Sequence, residues 1–268
     1  MRRIFVVGCP RSGTTLLQSF LAAHPDIHSF PETHVFHRLR APRGLRRAAG
    51  LAAAGATQRL DDAAGWLGVP RARPLLPTVR RHGAAFLAMA DAAARKHGAG
   101  AWVEKTPANL YALDLIERLV PGALVVHIVR DGADVVASLC AVAGNWGTTY
   151  SVDTAIDQWT ECIAITDRYR GRERHSVVGY DRLVRDPEGT LTELCAALGL
   201  PYTEAMITGR EAAARDLVKD FEHWKSDNAG PLRDGAGRRL DEVFDGATRR
   251  YVRERVAAVP VREVGSGG

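Results

Sequence analysis

The chain has 268 residues, 46% of them hydrophobic, enough for a sizeable core and against a disordered or low-complexity protein. Its formal net charge of +5 suits an anionic small ligand without requiring nucleic acid, and its five tryptophans are dispersed, with no basic-aromatic platform. No run of about 18 apolar residues occurs, so no stable membrane insertion is expected. Ile4–Val7 is too short for a signal-peptide core, and Cys9, Cys140, Cys162 and Cys195 form no CxxC pair. A reduced, cytoplasmic protein is therefore expected.

Arg3–Gly8 (RIFVVG) reads as a parallel strand buried on both faces. Cys9-Pro10-Arg11-Ser12-Gly13-Thr14-Thr15 follows, then a helix with Leu16, Leu17, Phe20 and Leu21 at helical spacing. Ile27–Glu32 reads as a short second strand. Residues 35–100 are Ala/Arg-rich with Leu at helical intervals, which predicts helices broken near Pro70, Pro74 and Pro77. Within this stretch Arg38–Arg47 and Arg71–Arg81 read as solvated helix faces, or as a rim attracting an anionic donor or acceptor. Ala101–Glu104 is a strand, Asn109–Leu119 a helix closed by Pro121-Gly122, and Leu124–Val129 a second clear buried strand. Ala133–Cys140 and Asp153–Arg170 are helices, Ser176–Gly179 a core strand, and Pro187–Leu198 a helix stopped by Gly199. The alternation predicts an α/β fold: one domain over residues 1–268 with a mostly parallel central sheet flanked by helices, plus a helical insertion around 35–100.

Gly8 and Gly13, five apart and followed by Thr14 and Thr15, have the skeleton of a phosphate-binding loop between strand and helix. The hydroxyls of Ser12, Thr14 and Thr15 add donors. An ATPase loop needs Lys where Thr14 stands; here the cation is Arg11, inside the loop. CPRSGTT closely resembles the 5′-phosphosulfate motif of sulfotransferases that use 3′-phosphoadenosine 5′-phosphosulfate (PAPS). The resemblance implies a three-layer, P-loop-like α/β fold.

A second motif lies at Val126–Leu139 (VHIVRDGADVVASL), where Arg130 ends a strand and Ser138 stands eight residues later, in the next helix. Reading Asp131 as a magnesium ligand is weaker, because Arg130 separates it from the strand. The segment resembles the family's 3′-phosphate motif, which implies that Arg130 and Ser138 grip the phosphate that distinguishes PAPS from ATP. Asp131, Gly132 and Asp134 shape the turn and the helix start. Tyr180–Pro187 (YDRLVRDP) resembles a third family segment, whose tyrosine lies near the nucleotide. Phe221–Ser226 stands where many members have a nucleotide-covering loop, which implies that Trp224 covers a ring and Lys225 meets the 3′-phosphate.

Sulfuryl transfer needs positioned cations, hydrogen-bond donors and a base, and does not inherently need a metal. The loop N–H groups and Arg11 suit the leaving 5′-phosphate, and Lys105 in Glu104-Lys105-Thr106-Pro107 is a second cation. Glu104 reads as its ion-pair partner. His24–His34 (HPDIHSFPETH) resembles a tyrosylprotein-sulfotransferase segment whose glutamate is the catalytic base, which implies that role for Glu32. His34 departs from that subfamily, which has Arg there; it is an alternative base, an orienting group for Glu32 or a substrate contact. His24 reads as a cap, His28 and His37 as surface residues, and His127 as a satisfied core histidine. The implied acceptor is a small molecule, carbohydrate or lipid bearing a hydroxyl or amine, with PAP as product. A P-loop kinase and a noncatalytic PAP-binding module are the rival readings.

Overall fold

The computed structural model describes residues 1–142, 150–217 and 238–261. Among them, β1 (Arg2–Gly8), β2 (Ile27–Ser29), β3 (Ala101–Lys105), β4 (Leu124–Val129) and β5 (His175–Gly179) form one sheet. The order is β2-β3-β1-β4-β5, and every neighbouring pair is parallel. In chain order the helices are α1 (Thr14–Ala22), α2 (Leu45–Ala48), α3 (Ala56–Leu67), α4 (Val79–Lys96) and α5 (Leu113–Leu119). Next come α6 (Gly132–Val142), α7 (Val152–Tyr169), α8 (Tyr180–Arg185) and α9 (Pro187–Leu198). The last are α10 (Ala205–Thr208), α11 (Arg210–Leu217), α12 (Arg238–Val243) and α13 (Gly246–Ala257). No helix among the described residues is long and apolar enough to cross a membrane.

Successive strand residues point to opposite faces, so the unbroken apolar run of β1 feeds two cores. Phe5 and Val7 join Trp102 and Val125 on one face, under α3–α7. Ile4 and Val6 join Val103 and Val126 on the other, under α1 and α9. The result is helix, sheet, helix. On the first face Phe5 meets Phe36 and Trp102 edge-on at 5.3 and 5.4 Å between ring centroids, a geometry worth ~1 kcal/mol per pair beyond burial. This packing holds the start of the insertion against the central strand.

Several expected elements change at their ends. The second strand stops at Ser29 rather than Glu32. Pro31 cannot donate to a ladder, and the carbonyl of Phe30 accepts from the Gln18 side chain instead. The helix expected over 109–119 begins as a 3₁₀ turn, Pro107–Ala112, before α5. The arginine-rich stretches are helix faces only at their ends, Arg46 and Arg47 on α2 and Arg80 and Arg81 on α4. Of Arg38–Arg47 only the end is helical, and residues 71–78 have no helix, since Pro42, Pro70, Pro74 and Pro77 interrupt both. Bridges Arg40↔Ala52 and Leu51↔Thr78 tie these loops to each other.

His127 is fully buried on β4, as expected of a core histidine, with Nδ1 3.3 Å from Thr166 Oγ1 and Nε2 3.0 Å from His175 Nδ1. Burial, reinforced by His175 and Arg170, lowers its pKa from 6.5 to about 3. A histidine that is neutral when folded and basic when unfolded favours unfolding as pH falls through that window. Its contribution is on the order of 4 kcal/mol, present above pH 6.5 and lost by about pH 3. His127→Gln is expected to flatten the dependence of unfolding free energy on pH across this range. An unchanged slope in denaturant titrations would contradict the assignment.

Candidate active site

Parallel strands bring their carboxyl ends to one edge, and four of them end in chemistry: Gly8 on β1, Lys105 on β3, Arg130 just past β4 and Tyr180 just past β5. β1 sits between β3 and β4, so the crossovers leave it in opposite directions. That reversal is where open α/β sheets form their ligand crevice.

The loop between β1 and α1 is shaped by left-handed residues, Arg11 (φ 71°) and Gly13 (φ 93°). Such conformations turn successive N–H groups to one side, a concave anion cradle. Glycine is required at 13 for a second reason: an added Cβ would lie 2.3 Å from the Tyr180 ring. Tyr180 thus packs directly on the loop. At Gly8 an added Cβ would lie 2.6 Å from the carbonyl oxygen of Ile128, so β1 and β4 approach closely where the loop begins. Ser12 and Thr14 are buried in the cradle.

The two motifs meet. Arg11 Nε donates to Ser138 Oγ at 2.9 Å, joining the loop to α6. The Arg130 guanidinium lies 4.3 Å from the Tyr180 ring centroid and donates to Asp134 Oδ2 at 3.1 Å. Its Nε is buried without a hydrogen-bond partner, a donor left for a ligand to satisfy. Asp131 Oδ1 accepts from the Asp134 N–H at 3.0 Å, so this carboxylate caps α6.

Lys105 is 2% exposed, its Nζ donating to Thr15 Oγ1 at 3.2 Å and pairing with Glu32 Oε1. Glu32 Oε2 is 3.6 Å from His34 Nε2. A contiguous file therefore runs from Thr15 through Lys105 and Glu32 to His34. It continues outward: the His34 and His37 rings are 5.2 Å apart, and Arg38 Nε donates to His37 Nε2 at 3.1 Å. His37 is half-buried rather than a surface residue; burial, then neighbouring His34 and Arg38, lowers its pKa to about 4. His28 is half-buried elsewhere, stacked on His97 at 4.3 Å, and takes no part in the file. His24 bridges the turn after α1, with Nε2 2.8 Å from the carbonyl of Pro201.

Glu104 corrects the sequence reading. Neighbouring strand residues point to opposite sides, so Glu104 turns away from Lys105 and is fully buried. Oε1 accepts from Thr33 N, Thr33 Oγ1 and Thr106 Oγ1, and Oε2 from Asn109 Nδ2, at 2.5–3.2 Å. Thr106 Oγ1 in turn accepts from His34 N, and Asn109 Oδ1 from His37 N. Burial pushes the Glu104 carboxyl up, against the opposing pull of Thr106 and Thr33. Glu104 thus clamps the segment carrying Glu32, His34 and His37 to the end of β3. Glu104→Ala strands four buried donors and is expected to cost ~3–5 kcal/mol of stability. Denaturant midpoints check this; a loss below ~1 kcal/mol would refute the clamp.

Sequence reasoning also missed Cys9. Its thiol, at the base of the loop, is pushed up by neighbouring Cys162 on α7 and by burial, and Tyr111 Oη is 3.5 Å from Cys162 Sγ. Nothing in the spacing of the cysteines signals this contact. All four are free thiols. Trp224 and Lys225 lie outside the described residues. Among the described residues no group of three His, Cys, Asp or Glu is placed to hold a metal ion.

The reversed strand order and the arginine-bearing cradle define a P-loop-like α/β anion binder, one whose loop lacks the ATPase lysine. Comparison with known proteins narrows the class. Residues 3–204 match the sulfotransferase family, and the chain belongs to it. It is 30% identical over 225 residues to protein-tyrosine sulfotransferase 1 of Homo sapiens, covering 79% of this chain and 55% of that protein. The chain spans about half the length of the curated relatives it matches, 40–57% for three of them. The fold is that of the sulfotransferase domain of the Synechococcus PCC 7002 olefin synthase, with TM-score 0.61, 22% identity and coverage of 96% and 94%. Mouse sulfotransferase SULT7A1, solved in complex with PAP, has the same fold, with TM-score 0.57, 12% identity and coverage of 96% and 84%.

Proposed function

We propose that this chain is a PAPS-dependent sulfotransferase, moving a sulfuryl group to a hydroxyl or amine acceptor. The observation that carries the reading is the unbroken file from Thr15 through Lys105 to Glu32. It joins the phosphate cradle to a carboxylate. The solved relative with PAP supports a 3′-phosphoadenosine donor. The free Nε of Arg130, beside Tyr180, fits the 3′-phosphate that such a donor carries. A kinase reading fares worse, since Asp131 is occupied as a helix cap and no lysine follows Gly13.

The residues divide the work as follows. Glu32 takes the acceptor proton as the new oxygen–sulfur bond forms, with His34 orienting its second oxygen. Lys105, Arg11 and the loop N–H groups meet the charge that grows on the leaving 5′-phosphate as the old sulfur–oxygen bond breaks. Ser12, Gly13, Thr14 and Thr15 hold that phosphate; Arg130, Ser138 and Tyr180 hold the nucleotide end. The acceptor class is a small molecule, carbohydrate or lipid, and the location cytoplasmic, in keeping with four free thiols. Incubation with sulfur-labelled PAPS and an acceptor panel tests the reading. Labelled product with stoichiometric PAP is expected without added metal. Transfer from ATP but none from PAPS would overturn it.

A further inference from the structure

The charge of this chain is concentrated in one place. Residues 33–90 contain ten arginines (38, 40, 43, 46, 47, 59, 71, 73, 80 and 81), no lysine, and only Asp61 and Asp62 as acids, a net +8. The whole chain carries +5, so the remainder is −3. Two of these arginines have partners in ion pairs, Arg40 with Asp114 at 2.8 Å and Arg71 with Asp61 at 3.8 Å. Arg43, Arg73, Arg80 and Arg81 are exposed and have no acidic partner among the described residues.

The same segment exposes apolar side chains that a folded surface ordinarily covers. Leu75 is 97% exposed, Leu45 89% and Leu76 56%. Leu75 and Leu76 stand between Pro74 and Pro77, which stiffen the loop. Leu45 opens α2 behind Gly44, where an added Cβ would meet nothing. The two loops are one unit. Leu51 bridges Thr78, and the Ala52 N–H donates to the carbonyl of Pro77 at 2.8 Å. Arg46 and Arg47 brace the turn by donating to the carbonyls of Ala52 and Ala41.

We propose that this insertion is a peripheral docking surface for an anionic lipid bilayer. Exposed leucines on the loop at 75–76 and at the start of α2, in a segment whose Arg43, Arg73, Arg80 and Arg81 have no acidic partner among the described residues, match an interface with hydrocarbon just below a layer of phosphates. Guanidinium binds phosphate oxygens bidentately, and the net +8 complements a negative surface. The exposed apolar groups are few, the adjacent Leu75 and Leu76 and the separate Leu45, and the ten arginines of the segment outnumber them. The anchor is interfacial and leaves the fold outside the hydrocarbon. The docked surface belongs to the insertion that begins right after Glu32 and His34, and the file from Lys105 leads into it through His37 and Arg38. Docking would therefore hold the catalytic carboxylate close to the membrane surface.

The test is co-sedimentation of the full chain with vesicles of phosphatidylcholine alone and of phosphatidylcholine with phosphatidylglycerol. It reads binding only, so its outcome is independent of the sulfotransferase assignment. The chain is expected to bind the anionic vesicles, not the neutral ones, and to be released by salt. Arg43→Ser with Arg73→Ser is expected to weaken binding about fivefold per arginine. Leu75→Ser with Leu76→Ser is expected to weaken it about tenfold, at unchanged melting temperature, because both side chains are solvent-exposed. Absence of binding to anionic vesicles would overturn the proposal. So would leucine variants that bind vesicles as the parent does and heparin equally well, which would make the surface a general polyanion binder.

Discussion

Glu32→Gln is expected to lower sulfuryl transfer by about 10²–10⁴-fold without weakening PAP binding. The amide keeps the shape of the carboxylate and loses its basicity. Glu32 is not part of the cradle; it is tied to it through Lys105 and Thr15, so donor binding should survive its loss. Lys105→Ala should cost a comparable amount, because it removes the cation that links base and loop. The double variant should be little worse than the poorer single one, as groups acting as a unit are strongly non-additive. Single-turnover rates with labelled PAPS measure all three. Retention of most activity in Glu32→Gln would move the base elsewhere, with His34, 3.6 Å away, the first candidate.

Arg130→Ala is expected to weaken PAP binding about 10–100-fold while leaving ADP binding nearly unchanged. PAP carries its second phosphate on the 3′-oxygen and ADP carries it on the 5′-phosphate, so their ratio reports the 3′ contact. The guanidinium is already oriented by the Tyr180 ring at 4.3 Å and by Asp134 at 3.1 Å, so little ordering is lost on binding. Equal losses for PAP and ADP would instead mean that Arg130 supports the loop as a whole. Ser138 bears on both ends: its hydroxyl also accepts from Arg11, so Ser138→Ala should weaken both nucleotides, PAP the more.

Much of this architecture was legible in the sequence, for identifiable reasons. The β1 run is apolar on both faces, and Gly8 and Gly13 can adopt backbone that Cβ-bearing residues cannot share with Ile128 and Tyr180. Arg130 directly follows β4 and Ser138 lies in α6, the strand end and following helix that the sequence implied. What failed depended on direction or on distant partners. Glu104 next to Lys105 reads as a pair in a string, but the pleat sends the two to opposite sides. Cys9, after β1, and Cys162, on α7, share one core cluster with no pattern in the sequence to announce it. The break in the insertion was legible from Pro70, Pro74 and Pro77, and residues 71–78 have no helix; what failed was reading the arginines of that stretch as one helix face. The exposure of Leu75 and Leu76 follows from that break and has no counterpart in periodicity.

The central claim is recognition of a 3′-phosphoadenosine donor at the end of the parallel sheet. Isothermal titration of the chain with PAP, ADP and ATP, each with and without Mg²⁺, tests it most directly. Tight PAP binding independent of Mg²⁺, with ADP at least ~10-fold weaker, is the predicted result. Preference for ATP, gained only with Mg²⁺, would contradict the account and restore the kinase reading.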